Sequence, residues 1–341
     1  MQRRRSTAGE LAAFLVAHPG WTATDGSLRR TFGLGSFERA LEFMRACRAT
    51  IDRLDHHPVW TNRYASVEVE LSTHSIGAIS PLDLELAAVM DRIAEEPRVV
   101  AIDWSGRSTG AEETIWLAEA RGETLLRLEP GRTREQVTDW LLEAAAGTPV
   151  IAGLDFAFSL PAWFARAHGC GSGPEVWELA AAEGERWLAE CPTPFWGRAG
   201  TRKPRTVETR RASDLEGAKS PFQIAGAGAV GTGSIRGMPQ LARLRQGGFA
   251  VWPFDAARLP LVVEIYPRAF TGPVVKSRAG ARAAALEGLP LCEEHRQLAI
   301  GSEDAFDAAL SALAMQRRIG ELADLPPATH PDAGIEGQIW S

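Results

Sequence analysis

Cysteine is scarce in this chain. Cys47, Cys170, Cys191 and Cys292 are spread over 341 positions and none forms a C-x-x-C pair, so neither a disulfide framework nor a cysteine zinc site is expected. Long hydrophobic runs are missing too. Nothing approaches the ~18 uninterrupted apolar residues of a membrane-spanning helix, and the apolar stretch after the basic start, Met1 to Arg5, is too short and interrupted for a secretory signal. Nor is there an excess of positive charge: 37 Lys and Arg stand against 43 Asp and Glu, a formal net charge of -6. The molecule as a whole therefore has no strong attraction for phosphate backbones or anionic membranes, although a local basic patch can act alone. What remains is ordinary globular composition, 45% hydrophobic and 23% charged, which excludes a chain disordered throughout. The expectation is a cytoplasmic protein without membrane contact, long enough for two domains.

Hydrophobic periodicity divides the chain near residue 97. Pro81 to Ala94 reads as an amphipathic helix with Leu82, Leu86, Val89 and Met90 on one stripe, and Pro97 closes it because its ring cannot continue the hydrogen-bond ladder. Upstream, Asp25-Gly26 marks a turn. Ser36 to Leu54 predicts a helix with Phe37, Leu41, Met44 and Ile51 on its buried face. Tyr64 to Thr73 predicts a strand with Val67, Val69 and Leu71 inward. Residues 1–97 thus predict an α+β domain, an antiparallel sheet with helices on one face. Residues 98–341 mix strands (Val99–Trp104, Thr114–Ala118, Thr124–Leu128, Val150–Phe158, Leu261–Tyr266) with helices at Arg134–Ala145 and Asp304–Leu322, an α/β pattern. A segment rich in Gly, Arg and Trp, about 159–260, reads as a helical insertion with mobile loops.

Three of the seven histidines, His56, His57 and His74, fall within 19 positions, near Asp52, Tyr64 and Asp83. Imidazoles titrate near neutrality, so such a cluster suits general acid–base chemistry. Plainer readings stand beside it. Histidines near a helix end can complement its dipole, and a three-His zinc site is an alternative, although adjacent side chains rarely point at one ion. Ser80-Pro81-Leu82-Asp83 also reads as an N-cap, a proline at N1 and an acid at N3.

The run from His56 through Tyr64, then Leu71 to His74, then Asp83 to Ala87, resembles the pterin-4a-carbinolamine dehydratase family. Leu28 to Phe32 and Phe37 to Met44 resemble it as well, so about residues 8–95 are covered. At Ser75 to Ala78 the chain departs from the acid and paired glycines more usual in the family. The resemblance implies dehydration of a 4a-hydroxytetrahydropterin to the quinonoid dihydropterin without metal or organic cofactor. His56 and His74 would be the acid–base pair, with Asp83 and Asp52 as supporting carboxylates and His57, Asp52 and Trp60 about the pterin. It also implies a homo-oligomer formed through the first domain. Since the family includes dimerising partners of other proteins, a binding role is a further reading, against which the intact histidine set argues.

In the second domain, acids occur where they are expensive. Asp103 and Asp155 end apolar strands and Glu264 interrupts one, while Asp304 and Asp307 share a helix face. Converging at strand ends, these carboxylates would make a hard-oxygen site for Mg or Mn that could clamp a phosphodiester. Taken singly, each reads equally well as a cap or turn residue. Ala101 to Gly106, Gly153 to Phe158, Val263 to Pro267 and Asp304 to Ala309 resemble an uncharacterised family of predicted nucleases with the ribonuclease H-like fold, over about residues 98–340. That implies a mixed sheet with an insertion and a DNA or RNA substrate, but sugar-kinase-like ATPases share the core fold, so the fold does not settle the function. Two weaker signals complete the reading. Gly226 to Gly231 matches G-x-G-x-x-G without a strand before it and reads as a loop. Arg198, Arg202, Lys203, Arg205, Arg210 and Arg211, with Trp187, Phe195 and Trp196 upstream, could track a single strand by charge and stacking or form a solvated loop.

Overall fold

The computed structural model describes residues 4–226 and 228–341. Met1 to Arg3 of the basic start, and Ala227 of the glycine-rich loop, lie outside the described residues. The chain separates into two compact units, one reaching to Pro97 and taking in Ala120–Leu126, the other made of Arg98–Glu119 and Arg127–Ser341.

The first unit runs α1 (Ala8–Ala17), β1 (Thr22–Thr24), β2 (Ser27–Gly33), α2 (Phe37–Leu54), β3 (Val59–Arg63), β4 (Ser66–Leu71) and α3 (Pro81–Glu95). The strands form one antiparallel sheet in the order β1-β2-β4-β3. Asp25 and Gly26 both take positive φ, 52° and 78°, the backbone a tight hairpin needs and a glycine adopts without a Cβ penalty. Along β4, Val67, Val69 and Leu71 are buried and Glu68 is exposed, as the alternation predicts. The buried stripe of α2 is the expected one only in part. Ile51 is buried and Met44 packs against the core, but Phe37 is 47% exposed, and Ala40, Phe43, Ala46 and Cys47 complete the inward face. Three of these are small, so a scan for large apolar side chains lands one position off. The start of α3 is as read: Ser80 caps it, Pro81 follows, and Asp83 completes a capping box.

Apart from Ala120–Leu126, which belongs to the first unit, the second unit contains β5 (Arg98–Asp103), β6 (Trp116–Arg121), β7 (Thr124–Glu129), α4 (Arg134–Gly147), β8 (Val150–Leu154), α5 (Ala162–Ala167), α6 (Gly173–Glu190), α7 (Gly231–Gln246), β9 (Ala250–Val251), β10 (Leu261–Ile265), α8 (Pro267–Thr271), α9 (Ala279–Ala285), α10 (Glu293–Gly301), α11 (Glu303–Arg317), α12 (Ile319–Ala323), α13 (Ala333–Glu336) and β11 (Ile339–Trp340). Its mixed sheet has the order β11-β10-β8-β5-β6-β7, with β9 beside β10. Strands β5, β8, β10 and β11 pair parallel, and Val99 to Ile102 are fully buried, as strands covered on both faces must be. The insertion expected at 159–260 supplies α5, α6, α7 and β9. Two of its aromatics are core: Trp187 and Phe195 are 3% and 2% exposed and stack with centroids 5.3 Å apart. They are not available as a stacking platform, which corrects that expectation.

Candidate functional site

The histidine site is assembled by the end of α2, the β3–β4 hairpin and the start of α3. Asp55, in the left-handed conformation, ends α2, and His56 turns inward. Pairing of Val59 with Glu70 runs the end of β4 back alongside His57 and Pro58, so His74 returns to the same end of the sheet. Asp83 is the hub, fully buried at the first turn of α3. Its Oδ1 lies 2.7 Å from His56 Nε2, and its Oδ2 accepts from Thr73 Oγ1 at 2.8 Å and from the Ser80 amide at 2.7 Å. Burial alone would raise this carboxyl. The hydrogen bonds from His56, Ser80 and Thr73 outweigh it and hold Asp83 below its ordinary value. With Asp83 ionised, His56 carries its proton on Nε2 and leaves Nδ1 for other partners.

His57 and His74 are exposed, His74 opening a short helical turn through Ile76. Two side chains depart from the expectation. Asp52 does not support an imidazole: it faces solvent and pairs with Arg48 one turn earlier on α2, at 3.2 Å, as i,i+4 residues on one helix face do. Trp60 sits opposite Val69 and is half-buried against the core, so much of its ring is committed to packing. Ser80 was legible as the cap of α3, but Thr73 was missed as a partner of Asp83: it lies ten residues earlier in the chain, and no local pattern links the two.

Comparison with known proteins places this unit. The model of the pterin 4 alpha carbinolamine dehydratase family matches residues 4–93. A protein of Dinoroseobacter shibae, named "putative pterin-4-alpha-carbinolamine dehydratase", is 42% identical over 91 residues, which are 26% of this chain and 93% of that protein. The chain belongs to the pterin-4a-carbinolamine dehydratase family. A relative of the same name from Rhizobium meliloti is 38% identical over 97 residues, 28% of this chain and 93% of its own length. The crystal structure of a transcriptional coactivator/pterin dehydratase from Brucella melitensis is 36% identical, with 27% of this chain and 99% of that one covered and a TM-score of 0.26. Each of these matches accounts for about a quarter of the chain.

The acids of the second unit are only partly gathered. Ile102 is in register with Leu154, and the Asp155 amide donates to the Ile102 carbonyl at 3.1 Å, so Asp103 and Asp155 stand side by side at the ends of β5 and β8. Helix α11 brings Asp304 and Asp307 to them. Burial foremost, then Asp155, Asp304 and Asp307, push the Asp103 carboxyl far above its usual range, and burial with Asp307 pushes Asp155 up to about 8. The Lys276 ammonium, bound to Asp307, partly offsets this repulsion, a partner that no sequence pattern announces. Glu264 does not join. It is level with Leu154, one residue out of phase with Asp155, so its side chain leaves the other face of the sheet. There Arg211 grips both its oxygens and the Phe158 amide donates to Oε2 at 2.9 Å. Arg211, expected in the basic loop, is itself buried and also pairs with Asp214 at 2.6 Å.

The donor chemistry of Asp103, Asp155, Asp304 and Asp307 fits Mg or Mn, and buried Asp307 Oδ1 makes no hydrogen bond. Among the described residues, however, no three His, Cys, Asp or Glu side chains are grouped so as to hold a metal ion. That corrects the expectation of a preformed five-carboxylate centre. No helix among the described residues is long and apolar enough to cross a membrane.

Proposed function

We propose that the first unit dehydrates a pterin-4a-carbinolamine, and that His56 and His74 are its acid–base pair. The 4a carbon–oxygen bond breaks, the hydroxyl leaves as water with a proton from one imidazole, and the other imidazole takes the proton of the ring nitrogen as the carbon–nitrogen double bond forms. The His56–Asp83 contact carries this reading. A buried carboxylate on Nε2 fixes the ring, leaving Nδ1 to exchange the substrate's proton. His57, exposed next to His56 in the chain, would orient the pterin. The test is the dehydration rate of the purified full chain on authentic carbinolamine. Replacing one acid–base partner lowers rates by ~10²–10⁴, so wild-type rates in His74→Ala would overturn the assignment.

For the second unit, the convergence of four carboxylates favours phosphodiester hydrolysis. The strand order β7-β6-β5-β8-β10 supports the ribonuclease H-like reading: it places the first three strands of the unit, then the fourth and the next long one, in the sequence 3-2-1-4-5. Asp103, Asp155, Asp304 and Asp307 are not grouped closely enough as they stand to hold a metal ion and would have to draw together around Mg or Mn, which would supply Lewis-acid activation of the phosphate. Lys276 neutralises part of the acid charge until the site is filled. Cleavage of DNA or RNA that requires added magnesium and is abolished by Asp103→Asn is the expected outcome; no cleavage across both nucleic acids would remove this reading.

A further inference from the structure

Beside the carboxylates lies a cavity that the chemistry above does not use. It has a volume of about 750 Å³ and is walled by Gly106, Ser108, Gly197, Arg198, Thr232 and Arg236 among others, with no acid in its lining. Its floor is two backbones in close approach: a Cβ on Gly106 would lie 2.5 Å from the Gly233 amide nitrogen, so only glycine lets the turn after β5 sit against the start of α7. Helix α7 has 16 residues, and its N-cap, Val230, offers no side-chain cap to the first amides. Next to it, Trp104 is 8% exposed and its indole N–H makes no hydrogen bond. The ring edge that carries this N–H faces Gly233: Trp104 Cδ1 is 3.6 Å from where a Gly233 Cβ would stand.

The wall of the hollow thus carries two arginines and no acid, and only one of the two has a carboxylate partner. Arg236 is held by Glu185 at 2.7 Å. Arg198 is exposed and donates one bond to the Ala189 carbonyl, and no carboxylate forms an ion pair with it among the described residues. Arg202, Lys203 and Arg205 continue the exposed basic loop beyond it, and Lys203 lies 5.8 Å over the half-buried Trp196 ring. Asp103 is three residues from Gly106, so the carboxylates are at most about 11 Å of extended chain away.

We infer that this cavity and the 198–205 loop bind the sugar-phosphate backbone of a single-stranded nucleic acid and lead it to the carboxylates of β5, β8 and α11. Phosphates are met by Arg198, Lys203 and the Thr232 and Gly233 amides at the start of α7, where the Gly231 amide is already spent on the Gln223 carbonyl, and a base stacks on Trp196. The inference deepens the phosphodiester reading and rests on it for the direction of the strand, but binding can be measured without cleavage. Fluorescence anisotropy of a fluorescein-labelled 20-mer of thymidylate is followed with the full chain in EDTA. Wild type binds at about 50 mM salt and weakens as salt rises. Arg198→Glu and Lys203→Glu, both at exposed positions, each weaken binding at least about tenfold and flatten the salt dependence by about one counterion. Trp196→Ala weakens it about fivefold or more. No binding by wild type, or binding that both charge reversals leave unchanged, overturns the inference. Binding as described without magnesium-dependent cleavage keeps the groove and removes the nuclease; cleavage insensitive to Arg198→Glu does the reverse.

Discussion

Asp83 ties the fold to the proposed chemistry. It is the N3 acid of a capping box and the carboxylate on His56, with Oδ2 spent on Ser80 and Thr73 and Oδ1 on the imidazole. Asp83→Asn keeps the shape but replaces one acceptor oxygen with an NH2 group, which cannot accept from His56 or cannot accept from the cap. Dehydration should fall by ~10²-fold or more, while stability drops by about 1–3 kcal/mol through the broken buried hydrogen bonds. Rates and urea unfolding measured on the same preparation separate the two effects. Ser80→Ala is the companion: it loses a cap worth ~1 kcal/mol and leaves the His56–Asp83 contact in place. A variant that lost activity as fully as Asp83→Asn would place the chemistry in the cap instead. The sequence announced Asp83 twice, once as a cap and once as a family position; the cap is seen directly, and the contact with His56 is what the second reading asks of it.

At the scale of elements, patterns that repeat locally were legible and contacts between distant segments were not. The alternation of β4, the cap of α3 and the apolar run of β5 follow from neighbours two to four residues apart. The acids show the limit. Asp103, Asp155, Asp304 and Asp307 could be collected from strand ends and a helix face, but Glu264 looked equivalent until the β8–β10 register put it on the other side of the sheet. Its partner Arg211 is 53 positions away and sits in a run of cations that otherwise face solvent. Burial foremost raises the Glu264 carboxyl and Arg211 opposes that rise, so the pair is a structural strut between β10 and the insertion. Arg211→Ala leaves a buried carboxylate without its counter-charge and should cost about 3–5 kcal/mol. A fall in Tm with any magnesium-dependent cleavage unchanged below the transition is the expected result. Loss of cleavage in a fully folded variant would instead bring Glu264 back into the site.

Across the whole molecule, the two clusters give the units opposite responses to pH. Asp83 is held below its ordinary 3.8, so its contribution to stability is present above that value and lost as pH falls through the native one. Asp155 is raised from 3.8 to about 8. Its native carboxyl keeps a proton that the unfolded chain has already released, so stability is greatest below 3.8 and is lost as pH rises towards 8. Lys276 is raised above 10.5 and contributes evenly across that window. Trp21 and Trp60 are the only two of the eleven tryptophans before residue 98, so tryptophan fluorescence follows mainly the second unit. Its thermal transition should fall from pH 5 to pH 8. Asp155→Asn should flatten that slope and raise the pH 8 midpoint by about 2–4 °C for each kcal/mol of repulsion relieved. Parallel curves for wild type and variant would mean that the four acids do not share one buried field, and the case for their acting as a single site would go with it.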